Sequence, residues 1–286
     1  MTPAVPYAEV IGDPISHSKS PLIHKFWLGK LGLDYDYCAS RVTAAQLPAY
    51  LKQRRTDPLW CGCNVTMPLK VEALSQIDEQ APEVQSTGAA NTITRLRSEA
   101  RLGGNNTDVV GMREPLRSWL EGDGFFTAAV IGTGGAAAAA MVALLGGSAH
   151  VTTVNYGRTY ESALSFRRRF DPIDAEHLSA PLSAFQPANR NGTQQSSLLV
   201  NASPLGMRGH PPLLVDLTAL TPGSIVLDMV YDPIETDLLR QARDCGLVAL
   251  DGLTMLVAQA AAAFELLFCQ AAPREHDTEL RALLTK

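Results

Sequence analysis

Lys70 closes the segment Asn64-Val65-Thr66-Met67-Pro68-Leu69-Lys70, at the end of a short apolar run. A lysine there can carry a proton to and from a substrate if neighbouring groups depress its pKa; without them it is a surface cation in a first helical turn. Three more polar segments sit at the ends of apolar runs. Gly12-Asp13-Pro14-Ile15-Ser16-His17-Ser18-Lys19-Ser20-Pro21 places hydroxyls in a turn between a strand and a helix. Such hydroxyls can bind a carboxylate or a polyol, although serines ahead of a helix also serve as N-caps. Gly88-Ala89-Ala90-Asn91-Thr92 is the third segment, and the Asx/Thr-rich loop Gly104-Asn105-Asn106-Thr107-Asp108 is the fourth. Capping of the helix that follows is the alternative reading of that loop.

A fifth segment points to a dinucleotide. Val130-Ile131-Gly132-Thr133-Gly134-Gly135-Ala136-Ala137 follows a predicted strand and opens a predicted helix. Gly132 permits a tight turn, Gly134 lets the backbone approach a pyrophosphate, and small residues at 135–137 allow close helix–strand packing. NAD sites carry an Asp or Glu about 20 residues on, at the end of the second strand. Here that end reads Val154-Asn155-Tyr156-Gly157-Arg158-Thr159, with a guanidinium and no carboxylate. An arginine there suits the extra phosphate of NADP, and Tyr156 could stack on the adenine.

The elements that must position these segments follow an α/β pattern. AEVIG, DYDYCASRV and GCNV read as strands, SPLIHKFWLGKLG as a helix ending at a glycine, and MPLKVEALSQID as a helix opened by Pro68. A helical stretch after Asp108 breaks at residues 121–124. The strand AAVIG, the glycine turn, the helix AAAAAMVALLGG and the strand HVTTV then make a βαβ unit. SLLVNA and SIVLDMV are further apolar strands of the kind buried in a parallel sheet. One strong helix from Gly252 and a polar tail follow.

Bulk properties narrow the function. The 286 residues suit two domains, and a 46 % hydrophobic, 19 % charged composition suits a packed core. A net charge of −5 gives no electrostatic footprint for nucleic acid. The basic run Arg167-Arg168-Arg169 reads as a solvated helix face. The N-terminal residues lack the pattern of a signal peptide. The apolar stretch Leu253–Phe268 contains Gln259 and Glu265 and is shorter than the roughly 20 residues a membrane span needs, so it reads as a buried helix. Five irregularly spaced cysteines, with Cys61-Gly62-Cys63 at a strand start, give neither a disulfide framework nor zinc spacing, and no metal is expected. Cytoplasmic localisation follows from these readings.

The order and spacing of the segments, followed by NASPLGM (201–207), LDMVYDP (227–233) and DGLTMLVAQAA (251–261), resemble the shikimate dehydrogenase family over nearly the whole chain. The resemblance implies an α/β substrate-binding domain (1–107 with 252–286) and a Rossmann-type nicotinamide-cofactor domain (108–251). It implies Lys70 and Asp108 as the catalytic pair. Ser18 and Ser20, helped by Tyr231, would bind the substrate carboxylate, and Thr66, Asn91 and Gln259 the ring hydroxyls. Gly132, Thr133, Gly134, Gly135, Ala136, Asn155, Arg158, Thr159, Ser203, Met229 and Gly252 would hold the cofactor, with Met229 and Gly252 on the nicotinamide side. NADP-preferring members carry Asn-Arg-Thr at the second strand end; here two residues separate Asn155 from Arg158-Thr159, which displaces the 2′-phosphate contacts from the family pattern.

The activity implied is reversible NADPH-dependent reduction of 3-dehydroshikimate to shikimate, a step toward chorismate and the aromatic amino acids. NAD(H) in place of NADP(H), quinate or an aminoshikimate in place of shikimate, and a non-catalytic sensor are the alternatives. The expected partner is the small-molecule substrate, with no nucleic acid or membrane, in a monomer or homodimer.

Overall fold

Short apolar runs between polar turns become the strands of two separate sheets. The computed structural model describes residues 5–96, 100–122, 124–170, 177–185 and 197–286. The first sheet is built from β1 (Tyr7–Gly12), β2 (Asp36–Arg41), β3 (Trp60–Val65), β4 (Glu79–Gln80), β5 (Thr92–Arg95) and β6 (Leu102–Asn105). Its order is β2-β1-β3-β5-β6-β4. β1 lies parallel to β2, from Tyr7↔Asp36 to Gly12↔Arg41, and parallel to β3 on its other side. β5 is antiparallel to both β3 and β6. Helices α1 (Ser20–Leu31), α2 (Leu47–Arg54) and α3 (Pro82–Thr87) connect these strands. α1 begins with Pro21 in its first turn, where a missing N–H costs nothing, and stops at Gly32 in the left-handed conformation. Leu47, Leu51, Trp60, Leu69, Ile93 and Leu102 fill the core on one side of this sheet.

The expected helix over residues 67–78 is a correction. The backbone makes turns and then a 3-10 helix, Glu72–Gln76, because its carbonyls are claimed elsewhere. Ala90 N–H donates to Lys70 O at 2.8 Å, and Leu74 N–H closes the shorter bond to Val71 O at 3.1 Å. Lys70 is thereby held in a turn tied to the Ala90-Asn91 segment that leads into β5.

The second sheet is all parallel. Short helices α4 (Asp108–Arg113) and α5 (Arg117–Leu120) lead to β7 (Phe125–Ile131). α6 (Gly135–Leu145), β8 (His150–Gly157), α7 (Tyr160–Arg167), β9 (His177–Pro181), β10 (Ser197–Asn201), β11 (Ile225–Asp228), α8 (Asp237–Asp244) and β12 (Val248–Leu250) follow. The order β12-β11-β10-β7-β8-β9 puts β7 in the middle, with its second and third strands on one side and the fourth to sixth on the other. That is the doubly wound dinucleotide-binding order, whose ligand crevice opens at the carboxyl end of the strands where the winding reverses, here beside β7 and β10. α9 (Gly252–Phe268) and α10 (Asp277–Leu284) complete the chain. The expected polar tail is thus a correction too: α10 buries Leu280 and Leu284, four residues apart on one face.

Two compact units result, Met1–Gly111 with Val257–Lys286 and Met112–Leu256. The chain crosses between them inside α4 and α9, a few residues beyond the boundaries read from the motifs. Among the described residues no helix is long and apolar enough to cross a membrane.

Candidate active site

In the first unit the polar segments converge because one residue between them has no side chain. A Cβ on Gly12 would sit 2.5 Å from Thr66 Cγ2 and 2.9 Å from Met67 O, so the strand ends of β1 and β3 touch only with glycine there. Asp13 N–H donates to Met67 O at 3.2 Å and Thr66 N–H to Ile11 O at 2.9 Å, fixing the contact. The hydroxyl of Ser18 accepts from Ser20 N–H at 3.3 Å, and Ser18 and Ser20 are both half-buried at the start of α1. Lys19 between them donates to Leu284 O at 2.9 Å, so the last turn of α10 holds the serine turn in place.

Lys70 Nζ donates to Asp108 Oδ2 at 2.5 Å, with side-chain exposures of 21 % and 9 %. The carboxylate does not cap its own helix; local capping comes from Asn106, whose Oδ1 accepts from Asp108 N–H at 3.2 Å. Behind the pair runs a buried chain of hydrogen bonds. Asn91 Nδ2 donates to Asp108 Oδ1 and to Thr107 Oγ1, both at 2.9 Å. Its Oδ1 accepts from Thr107 N–H at 2.8 Å and from the Thr92 hydroxyl at 3.0 Å. Asn64 Nδ2 donates to Thr92 Oγ1 at 3.0 Å, and Tyr37 donates to Asn64 Oδ1 at 2.6 Å. Thr107 also donates to Gln259 Oε1 at 3.4 Å, which brings α9 to the same place.

Lys70, Asp108, Asn91 and Gln259 are therefore joined by contacts through Thr107, although they lie up to 189 positions apart in the chain. Thr66 lies one turn before Lys70, and its carbonyl accepts from Leu69 N–H at 2.9 Å. Asn91 is bound into the protein on every side. At 3 % exposure, with both amide hydrogens and its oxygen engaged in protein hydrogen bonds, it orients Asp108 from behind. Thr107, Asn106 and Asn64 are not singled out by sequence. The signal is present in the density of Asn and Thr at three strand or loop ends, but which of them meet depends on tertiary pairing.

In the second unit Gly132 sits at φ +124, and a Cβ there would lie 2.7 Å from Ala202 O. Glycine is required on both counts, the left-handed backbone and the close approach of β10. Gly134 is exposed and a Cβ on it would meet nothing within 4 Å, so open space faces the backbone at the start of α6. α6 has no acidic residue in its first turn. Its leading N–H groups lack helical acceptors, and its dipole favours an anion there. Thr133, Gly135 and Ala136 flank this opening, half-buried. A pyrophosphate fits this cradle, and NADP(H) would be held by Gly132–Ala136.

Asn155 departs from expectation. It lies within β8, 3 % exposed, and its Nδ2 donates to Gly132 O at 2.7 Å and Val130 O at 3.2 Å. It braces the glycine turn from below instead of standing at the strand end. β8 continues to Gly157, so Arg158, exposed, is the strand-end residue, and Thr159 N-caps α7 by accepting from Ser162 N–H at 3.2 Å. The two residues between Asn155 and Arg158 extend the strand and do not widen the loop.

Ser203, Met229 and Gly252 are held together in the same unit. Asn201 Oδ1 accepts from Ser203 Oγ at 2.7 Å, Asn201 O accepts from Met229 N–H at 3.0 Å, and a Cβ on Gly252 would lie 2.5 Å from Met229 O. Asp228, fully buried, ties this group down: it accepts from Asn201 Nδ2 at 2.9 Å, Val230 N–H at 3.1 Å and Thr236 Oγ1 at 2.6 Å. Burial pushes its carboxyl above the usual range against those three bonds. Burial, then the neighbouring Asp232, also raises the Tyr231 phenol, which stays protonated and able to donate.

Comparison with known proteins decides what this arrangement belongs to. Residues 10–93 match the family model described as the shikimate dehydrogenase substrate binding domain. The shikimate dehydrogenase (NADP(+)) of Sphingopyxis alaskensis is 44 % identical over 98 % of this chain and 97 % of its own. The chain belongs to the shikimate dehydrogenase family. Among solved structures, the shikimate 5-dehydrogenase of Thermus thermophilus in complex with NADP(H) and shikimate is 34 % identical, with a TM-score of 0.80 over 98 % of this chain and 100 % of that one. The family fold also serves other chemistry: the 5-ketofructose reductase of Gluconobacter sp. strain CHM43 matches with a TM-score of 0.82 at 26 % identity over 98 % of each chain.

Proposed function

We propose that this shikimate dehydrogenase homologue catalyses the reversible NADPH-dependent reduction of 3-dehydroshikimate to shikimate in the cytoplasm, on the route to the aromatic amino acids. In this reading Met1–Gly111 with Val257–Lys286 is the substrate domain and Met112–Leu256 the cofactor domain. The observation that carries it is the Lys70–Asp108 pair at 2.5 Å, set among Asn91, Thr107 and Gln259 in a unit whose residues 10–93 match the family's substrate domain.

NADP(H), when bound, supplies or accepts the hydride. Lys70 Nζ donates a proton to the carbonyl oxygen of 3-dehydroshikimate as it becomes an alkoxide, and takes it back in the oxidising direction. Asp108 Oδ2 holds the ammonium in position, and Oδ1 is kept aimed by the amide of Asn91. General acid–base help of this kind contributes about 10²–10⁴-fold. Ser18 and Ser20 bind the substrate carboxylate, while Thr66 and Gln259 bind ring hydroxyls. Retention of both Lys70 and Asp108 supports an enzyme over a sensor.

The test is a substrate panel. Shikimate, quinate and buffer alone are mixed with NADP⁺ or NAD⁺, and reduced nicotinamide is followed by its absorbance. The reading expects turnover with shikimate and NADP⁺ at a kcat/KM at least about tenfold above either quinate or NAD⁺, a difference of ~1.4 kcal/mol. Turnover of quinate above shikimate, or none of either, would overturn it.

A further inference from the structure

Among the buried hydrogen bonds behind Asp108 is a chain in which every bond donates in the same direction. Tyr37 Oη donates to Asn64 Oδ1 at 2.6 Å, Asn64 Nδ2 to Thr92 Oγ1 at 3.0 Å, Thr92 Oγ1 to Asn91 Oδ1 at 3.0 Å, and Asn91 Nδ2 to Asp108 Oδ1 at 2.9 Å. The chain starts on the edge strand β2, passes through β3 and the start of β5, and ends on the carboxylate that holds Lys70. Every member is buried. Hydrogen bonds aligned head to tail polarise one another, and a low-dielectric interior strengthens each of them. Asn91 is also held by Thr107, whose N–H donates to the same Oδ1 at 2.8 Å, so the chain adds to this local bracing and does not replace it.

The far end of the chain lies in an aromatic cluster. Tyr37 is stacked on His24, with ring centres 4.1 Å apart, and His24 in turn meets Trp27 and Phe264 at 5.9 and 5.8 Å. Packing alone would be served there by a phenylalanine: His24 Nδ1 and Trp27 Nε1, buried in the same cluster, have no hydrogen-bond partner. The phenol differs because it has an acceptor. In register Tyr37 pairs with Ala8, and Ala8 with Gly62, so only small residues lie in its path as it crosses β1 to reach Asn64 on β3. Burial pushes the phenol well above its usual range, with the Ser20 hydroxyl beside it opposing, so the hydroxyl keeps its proton and enters the chain as a donor. Asn64 depends on that donor for its orientation. The two ends of an amide have the same shape, and neighbours of fixed polarity decide which way it faces. With Oδ1 turned to the phenol, Nδ2 faces Thr92, and the Thr92 proton is left for Asn91.

We propose that Tyr37 is a positioning residue for the shikimate reaction, its hydroxyl anchoring through Asn64 the donor chain that aims Asp108 at Lys70. The proposal rests on the reading of Lys70 and Asp108 as the proton-transfer pair and adds to it a group remote from the substrate. Removing the hydroxyl leaves Asn64 Oδ1 buried without a donor, which an amide relieves by turning or shifting. Thr92 then loses the donor that fixes its own proton, and the last bond to Asp108 weakens. Ser18, Thr66 and Gln259 are not members of the chain, so the effect falls on turnover and not on substrate binding.

The experiment is steady-state oxidation of shikimate with NADP⁺ by the full-length protein. Wild type, Tyr37→Phe, Thr92→Val, the double variant of these two and His24→Phe are compared, and a thermal melt verifies each fold. Thr92→Val keeps the side-chain shape and cuts the same chain at its middle, so it carries the test should Tyr37→Phe not fold. His24→Phe disturbs the ring cluster but leaves the phenol in place. Tyr37→Phe is expected to lower kcat at least about fourfold, ~0.8 kcal/mol, with KM for shikimate changed less than about twofold. The double variant should be no slower than Thr92→Val, because a chain already cut has nothing more to lose, and His24→Phe should keep kcat within about twofold of wild type. Wild-type kcat in folded Tyr37→Phe or in Thr92→Val, losses that multiply in the double variant, or an equal loss in His24→Phe would overturn the proposal while leaving the Lys70–Asp108 reading intact. A wild type that does not oxidise shikimate would remove that reading, and the proposal with it.

Discussion

Asn91→Asp changes one NH2 group into an oxygen and leaves the side-chain shape nearly untouched, yet the structure makes it a severe change. The wild-type amide donates to Asp108 Oδ1 at 2.9 Å, and the two residues are 3 % and 7 % exposed. The substitution sets two carboxylate oxygens at that separation with little water between them. At an effective dielectric near 20, two unit charges about 3 Å apart repel by roughly 5–6 kcal/mol, which corresponds to about four pKa units. Lys70, at 2.5 Å from the other oxygen of Asp108, offsets part of this. The two carboxyls are then expected to share a proton through the neutral range, as paired carboxyls do. Lys70 loses a fully charged partner, and kcat at neutral pH is expected to fall by at least about tenfold, recovering in part as pH rises and the shared proton leaves. The assay is kcat and kcat/KM for shikimate oxidation between roughly pH 6 and 9, with a thermal melt to establish that the variant is folded. A folded Asn91→Asp protein with wild-type kcat and an unshifted pH profile would refute the claim that Asn91 aims the catalytic carboxylate.

Three further outcomes follow from particular contacts. His24 is buried, stacked on Tyr37 with ring centres 4.1 Å apart, and burial lowers its pKa from 6.5 to about 3. Its neutral form favours the fold above pH 6.5, and that contribution is lost as pH falls toward 3; between pH 7 and 5 the loss is about 2 kcal/mol, measurable by urea unfolding and absent in His24→Phe. Lys19→Ala removes the donor to Leu284 O and frees the serine turn; KM for shikimate should rise severalfold with kcat and NADP⁺ affinity nearly unchanged, and an unchanged KM would separate α10 from the substrate site. Asp228→Ala leaves three buried donors without their acceptor, at about 1–3 kcal/mol each. The melting temperature should drop, and NADP⁺ affinity with it, whereas Asp228→Asn should lose less in both; equal melting temperatures across the three proteins would contradict this role.

The parallel sheet of the second unit is legible because strands covered on both faces read as continuous apolar runs, and its glycine turn because two backbone constraints coincide at Gly132. The turn carrying Lys70 reads wrongly as a helix. Pro68 and the apolar spacing favour one locally, but Lys70 O is taken by Ala90 N–H from a segment 20 residues away, a claim local propensity does not register. α10 escapes for a different reason: its apolar face is two leucines in a charged stretch, and the Leu280–Leu284 spacing alone marks it. Lys70 and Asp108 stand out through motif order, whereas the bracing by Asn64, Asn91 and Thr107 emerges from pairing of β3, β5 and the loop after β6. The role of Asn155 is misplaced in sequence because the extra length of β8 cannot be counted without its partner strand, β7, whose Ile131 pairs with Tyr156.

Lys70→Ala provides the most direct test of the central claim, that this side chain moves the proton for an NADP⁺-linked oxidation of shikimate. Steady-state oxidation of shikimate is measured in wild type and variant, with shikimate affinity read in parallel by calorimetry. The account predicts NADP⁺ reduction by the wild type, a kcat at least about 10²-fold lower in Lys70→Ala, and a much smaller change in shikimate affinity. A folded Lys70→Ala enzyme that turns shikimate over at close to the wild-type rate would contradict it.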